Sequence, residues 1–198
     1  MKKYMIIILV LSLLSYLNSY TFGQIKEIKK DETATKGKLD DKQDIKGWGK
    51  SEWGMTEKEL LEIFNGEATV TGKSERRPDN TYSPIEIKNV KIASHDFRVA
   101  FHIDVDDKKL RVVSLHRTGI IIGSDFSGLE ELLIEKYGSP QFRDIRKLST
   151  PGDFGKTVAW MLPSTKIELN YTSIRGMGQY LSIIYRDNTI RKKTLDKL

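Results

Sequence analysis

The chain has no cysteine. That absence excludes disulfides, thiolate metal sites and a cysteine nucleophile. It also removes the residue through which a bacterial lipoprotein is acylated. Histidine is scarce, with His95, His102 and His116 the only three. No strong charge of one sign is present: 33 basic residues face 27 acidic ones, for a formal charge of +6. The excess is scattered, and no zinc finger or arginine-rich helix accompanies it, so nucleic acid is not an expected partner. The Gly-x-Ser-x-Gly elbow, the phosphate loop and the dinucleotide fingerprint are missing as well. Gly119 and Gly123 flank Ile120-Ile121-Ile122 without the required spacing. The sequence therefore assigns no catalytic residue, no cofactor-binding residue and no metal ligand, and no cofactor is expected.

A long apolar run occurs once, at the start. Lys2-Lys3 precedes an almost wholly apolar stretch from Tyr4 to Leu17, and Asn18 to Gly23 forms a polar exit. This is the pattern of a secretory signal over residues 1–23, with the mature chain beginning at Gln24 in a secreted or periplasmic location. The alternative is an inner-membrane anchor over residues 4–22, although a span needs about 20 apolar residues. Membrane contact is expected only through this segment, if it is retained. Without Lys2 and Lys3 the charge balance is 31 − 27 = +4. Residues 24–45 mix Lys, Asp, Glu, Thr and Gly with few apolar side chains, a composition that cannot offset the entropy of ordering, and read as a disordered linker. Residues 46–187 read as one domain and 188–198 as a basic tail.

Within the domain, Ser124 to Pro140 reads as a helix with a start, an apolar face and a stop. Leu129, Leu132, Leu133 and Tyr137 fall at i, i+3, i+4 and i+8, and Gly138 and Pro140 end the helix. A weaker copy opens at Thr56-Glu57-Lys58-Glu59, a capping box, with Leu60, Ile63 and Phe64 as its stripe. Glu59-Leu60-Leu61 and Gly66 match Glu131-Leu132-Leu133 and Gly138 at a constant offset of 72. Three strand-like segments follow each helix. The first set is Ile85–Ile92, Phe97–Val105 and Leu110–Leu115; a loop, Lys73–Pro84, precedes it, and a bulge is expected at Val112-Val113. The second set is Thr157–Leu162, Ile167–Tyr171 and Tyr180–Tyr185. The expected fold class is α+β: a duplicated helix–three-strand unit, about 55–117 and 124–187, forming an antiparallel sheet with helices on one face.

Several candidate groups fall short of chemistry. Asp106-Asp107 suits a hairpin turn. If that turn centres on Asp107-Lys108, His102 pairs near Val113 and His116 near Val99, far apart, which argues for surface histidines and against a metal site. Trp53 and Trp160 read as packing residues. The candidate partner-binding residues are Arg76 and Arg77, in the long first loop, and Trp48.

Trp53-Gly54-Met55 before a short helix, Lys136-Tyr137-Gly138-Ser139-Pro140 at a helix end, and Trp160, Ile167-Glu168-Leu169 and Ile183 through Asp187 in the closing strands resemble motifs of small exported bacterial proteins of unassigned function. The helix-plus-sheet plan is similar to the β-lactamase inhibitory protein fold and to the small envelope-assembly lipoproteins that share it. The missing cysteine departs from both, from the lipid anchor of one and the disulfides of the other. The resemblance implies a non-enzymatic protein-binding module whose partner is another envelope protein. The alternative is an enzyme acting on envelope material with unrecognised catalytic residues.

Overall fold

The computed structural model describes residues 44–72, 75–148, 150 and 152–190. The segment read as a signal, the linker as far as residue 43 and the tail from 191 lie outside the described residues.

Strands dominate. β1 (Gly47–Trp48) and β2 (Ser51–Glu52) form a small hairpin, α1 (Glu57–Ile63) follows, and β3 (Ala68–Val70), β4 (Thr81–Ile92), β5 (His95–Asp104) and β6 (Leu110–Arg117) come next. After α2 (Gly123–Tyr137) the chain makes β7 (Phe142–Lys147), β8 (Phe154–Met161), β9 (Thr165–Ile174) and β10 (Gly178–Asp187). β3 to β10 form one eight-stranded sheet in the order β3-β4-β5-β6-β10-β9-β8-β7, with every neighbouring pair antiparallel. Its centre is the pair β6–β10, which unites the earlier four strands with the later four.

This overturns the expected fold class. The described chain is mostly β, with two helices against eight sheet strands, and it is not a duplicated helix–three-strand unit. Within the eight-stranded sheet, the strands that sequence periodicity missed are β3 and β7, and the β1–β2 hairpin was missed as well. β3 is three residues long, and β7, Phe-Arg-Asp-Ile-Arg-Lys, is an exposed edge that buries no apolar row. The constant offset also fails in packing terms. It equates Leu60 with Leu132, yet Leu60 is fully buried and Leu132 is 41% exposed. On α2 the buried apolar positions are Phe126, Leu129, Leu133 and Tyr137, so the stripe runs at i, i+3, i+7 and i+11 and leaves Leu132 outside. The helices differ in length as well, seven residues against fifteen.

Local signals held where they rested on backbone chemistry. Thr56 Oγ1 accepts from the Glu59 N–H, and Glu59 reaches back to the Thr56 N–H at 2.7 Å, closing the capping box. In the β5–β6 turn, Asp104 Oδ1 accepts from the N–H groups of Asp106 and Asp107, and Lys108 takes a positive φ of 58°. The bulge lies one residue from its expected place. His102 pairs with Val112 and Ile103 with Leu110, which leaves Arg111 as the extra residue. The loop read as Lys73–Pro84 ends earlier, because Thr81 already starts β4.

One face of the sheet forms the core. Val99, Phe101, Leu115, Val113, Ile183, Tyr185, Leu169, Ile167, Val158 and Trp160 meet Leu60 and Phe64 from α1 and Phe126, Leu129, Leu133 and Tyr137 from α2 in one apolar cluster. Trp160 donates its indole N–H to the Gly138 carbonyl at 2.7 Å, tying β8 to the end of α2. Trp53 donates to Thr165 Oγ1 at 2.8 Å. Asp44 Oδ1 accepts from the Ser164 N–H, anchoring the start of the described chain to the residue just before β9.

Candidate functional site: the open face of the sheet

Side chains alternate across a strand, so the residues between the core positions form a second face. Register sets them in rows. Arg98, His116, Ser182, Asn170, Thr157 and Asp144 lie side by side from β5 to β7. The next row holds Ala100, Ser114, Ile184, Glu168 and Ala159, and a third holds His102, Val112, Arg186 and Lys166. None of these residues belongs to the apolar cluster that includes both helices. Even so, His102, Ser114, Val112 and Ala159 are buried.

At its centre two histidines meet one hydroxyl. His102 Nε2 lies 2.6 Å from Ser114 Oγ and His116 Nε2 lies 3.0 Å from the same atom. This corrects the expectation of distant surface histidines. His102 is only 2% exposed, and one row separates the two. Pairing His102 with Val113 instead of Val112 was a slip of one residue, and such a slip sends a side chain to the opposite face. The third histidine, His95, lies apart, with Nε2 3.9 Å from Asp125.

The electrostatics disfavour the charged form of both rings. Burial first, and then the nearby Arg77, hold the His102 pKa down to about 4; Asp79 opposes them, and His116 and Arg186 add smaller lowering effects. Burial, Arg98 and Arg77 lower that of His116. Glu168 is pushed up by its burial, but hydrogen bonds from Lys166 and Arg186 prevail and hold it below the usual carboxylate range. No group of three or more metal-ligating side chains gathers here or elsewhere among the described residues.

The sequence-derived candidates divide. Arg77 is exposed and close enough to bias both His102 and His116. Arg76, its neighbour, is exposed in the same loop. Trp48 is on the other side of the sheet, half-buried, with its ring 6.4 Å from that of Phe64 and 6.3 Å from that of Phe101. The His102–Ser114–His116 bridge escaped sequence reading, although Ser114 and His116 stand at i and i+2 of one strand and so share a face. A separate depression lies against α1, lined by Glu57, Lys58, Leu61, Glu62 and Asn65. It brings together no histidine, serine or arginine.

No family model, curated protein or solved structure matches the chain.

Proposed function

We propose that the protein is a secreted or periplasmic protein-binding module of the bacterial envelope, and that it holds its partner on the open face of the sheet. The observation that carries this is the contrast between the faces. The two helices join one face in a closed core, and the other offers a broad row of polar side chains around a fixed hydrogen-bonded centre. A preorganised, broad polar surface with a desolvated centre suits recognition of another protein, because ordering it on binding costs little. The enzymatic alternative has less support. The Ser114–His116 bond has the form of a nucleophile with its base, but Ser114 is 3% exposed and no carboxylate bonds to His116 among the described residues.

The test is photo-crosslinking in the native envelope, with the probe at Ser182 on the open face or at Glu131 on the exposed side of α2. Ser182 is expected to give a discrete crosslinked species and Glu131 none. Crosslinks from Glu131 alone would place binding elsewhere. Intact-mass analysis of the processed chain is expected to find Gln24 as its first residue; retention of residues 1–23 would favour the anchored alternative.

A further inference from the structure

The hydrogen bonds at the centre of the open face have a direction. His102 Nδ1 is buried and has no partner. A buried N–H without an acceptor is rarer and more costly than an unused lone pair, so His102 carries its proton on Nε2 and donates it to Ser114 Oγ. The hydroxyl has one proton, and it donates this to His116 Nε2. His116 must then carry its own proton on Nδ1, which no described residue accepts. The chain of bonds therefore ends in an N–H donor on a ring that is half-buried.

Two guanidinium groups near this donor make no ion pair among the described residues, although Arg77 also acts on Asp79 through space. Several carboxylates on this face are engaged: Asp144 with Arg146 at 2.7 Å, Glu168 with Lys166 at 2.7 Å and with Arg186 at 3.0 Å, and Glu86 with Lys88 at 3.2 Å. Asp104 accepts from the backbone turn, and Asp96, two residues before Arg98 on the same strand, lies beyond 4.0 Å of every described cation. Asp79, from the loop before β4, approaches Arg186 at 3.5 Å. Arg98 stands directly across from His116 in the β5–β6 register and is exposed. Neither Arg98 nor Arg77 has a carboxylate within 4.0 Å among the described residues. Donors without acceptors, with spare positive charge, fit an oxyanion. They repel a divalent cation. A second copy of this chain is also a poor occupant, since it would bring the same unpaired arginines and, without Lys2 and Lys3, a formal charge of 31 − 27 = +4.

We infer that His116 Nδ1–H, Arg98 and Arg77 form a seat for a side-chain carboxylate carried by an acidic segment of the partner protein. This rests on the open-face assignment above and specifies the chemistry of what docks there.

The experiment follows the resonances of the ¹⁵N-labelled protein, as its native host processes it, while hexaglutamate, hexalysine or inorganic phosphate is added. Hexaglutamate is expected to shift Arg98, Ser114, His116 and Ser182 and hexalysine to shift none of them. The exposed double variant Arg77→Glu/Arg98→Glu should bind hexaglutamate about tenfold or more weakly, as expected for lost charge-assisted bonds. Arg98→Gln, a milder change, should weaken it less. Ser114→Ala leaves both guanidinium groups in place; it should weaken binding several-fold, and the His116 ring-nitrogen signals should report a changed tautomer. Shifts spread over basic residues elsewhere, or unchanged affinity in both arginine variants, would overturn the seat. Phosphate binding at the same resonances as tightly as hexaglutamate would also overturn it, in favour of a free-anion site. Should Ser182 still crosslink a partner while the arginine variants bind normally, the carboxylate seat falls and the open-face assignment stands. If hexaglutamate binds as expected but only Glu131 crosslinks, the seat exists and the proposed role is wrong.

Discussion

The two faces of this sheet solve burial in different ways. On the core face, apolar side chains meet two helices, and each buried atom gains through removal from water and close contact. On the open face, His102, Ser114 and Thr157 are buried as well, but polar groups gain only when they are paired. Thr157 donates to Asn170 Oδ1 at 2.9 Å, and Ser114 serves both histidines. The first face holds the fold together by area. The second contributes little area and fixes orientation, which is what a recognition surface needs.

The sharpest way to break this contrast is to empty the core face. Trp160 is fully buried and its indole N–H is bonded. Trp160→Ala should cost about 3–5 kcal/mol in urea unfolding; a loss near that of a surface change would mean β8 is not part of the common core. Next comes the Leu pair on α2. Leu133→Ala should cost about 2–5 kcal/mol and Leu132→Ala within about 0.5 kcal/mol. Equal costs would restore the helix stripe expected from sequence.

The open face is expected to respond to acid. The folded pKa of His102, about 4, lies below its unfolded value near 6.5, so the unfolded chain binds the extra proton first. Its contribution is complete above pH 6.5 and is lost as pH falls toward 4, amounting to about 3 kcal/mol over that window. Arg77, Asp79, His116 and Arg186 are the charged or titratable groups that bias it. Between pH 6.5 and 5 the ordinary carboxylates have yet to titrate, and His102→Gln should flatten the stability profile there. A wild-type profile already flat in that range would show that His102 is not held neutral by its surroundings. An effect as small as that of Leu132→Ala is expected at Arg98, where exposure limits the stability change of Arg98→Ala to about 0.5 kcal/mol.

Most of the sheet was legible because Phe97, Val99, Phe101 and Ile103 alternate with polar residues, and so do Ile167, Leu169 and Tyr171. β7 was hidden because an edge strand with Arg143, Arg146 and Lys147 buries nothing and looks like a loop, a common protection against edge pairing. The two helices misled in a different way. Short identities such as Glu-Leu-Leu recur by propensity alone, and only packing reveals that Leu60 and Leu132 occupy different environments. The candidate site was illegible for a geometric reason. His102 comes beside Ser114 through the position of one extra residue, Arg111, and no periodicity in the sequence specifies that register.

The most direct test of the division between the faces is a single pair of variants, Ser182→Arg and Glu131→Arg, each measured for melting temperature and for the amount of partner crosslinked in the native envelope from a probe at Asn170, the open-face neighbour of Ser182. Ser182→Arg should abolish the partner species and leave melting within a few degrees of wild type, and Glu131→Arg should change neither. Full partner capture by Ser182→Arg would contradict the assignment of binding to the open face.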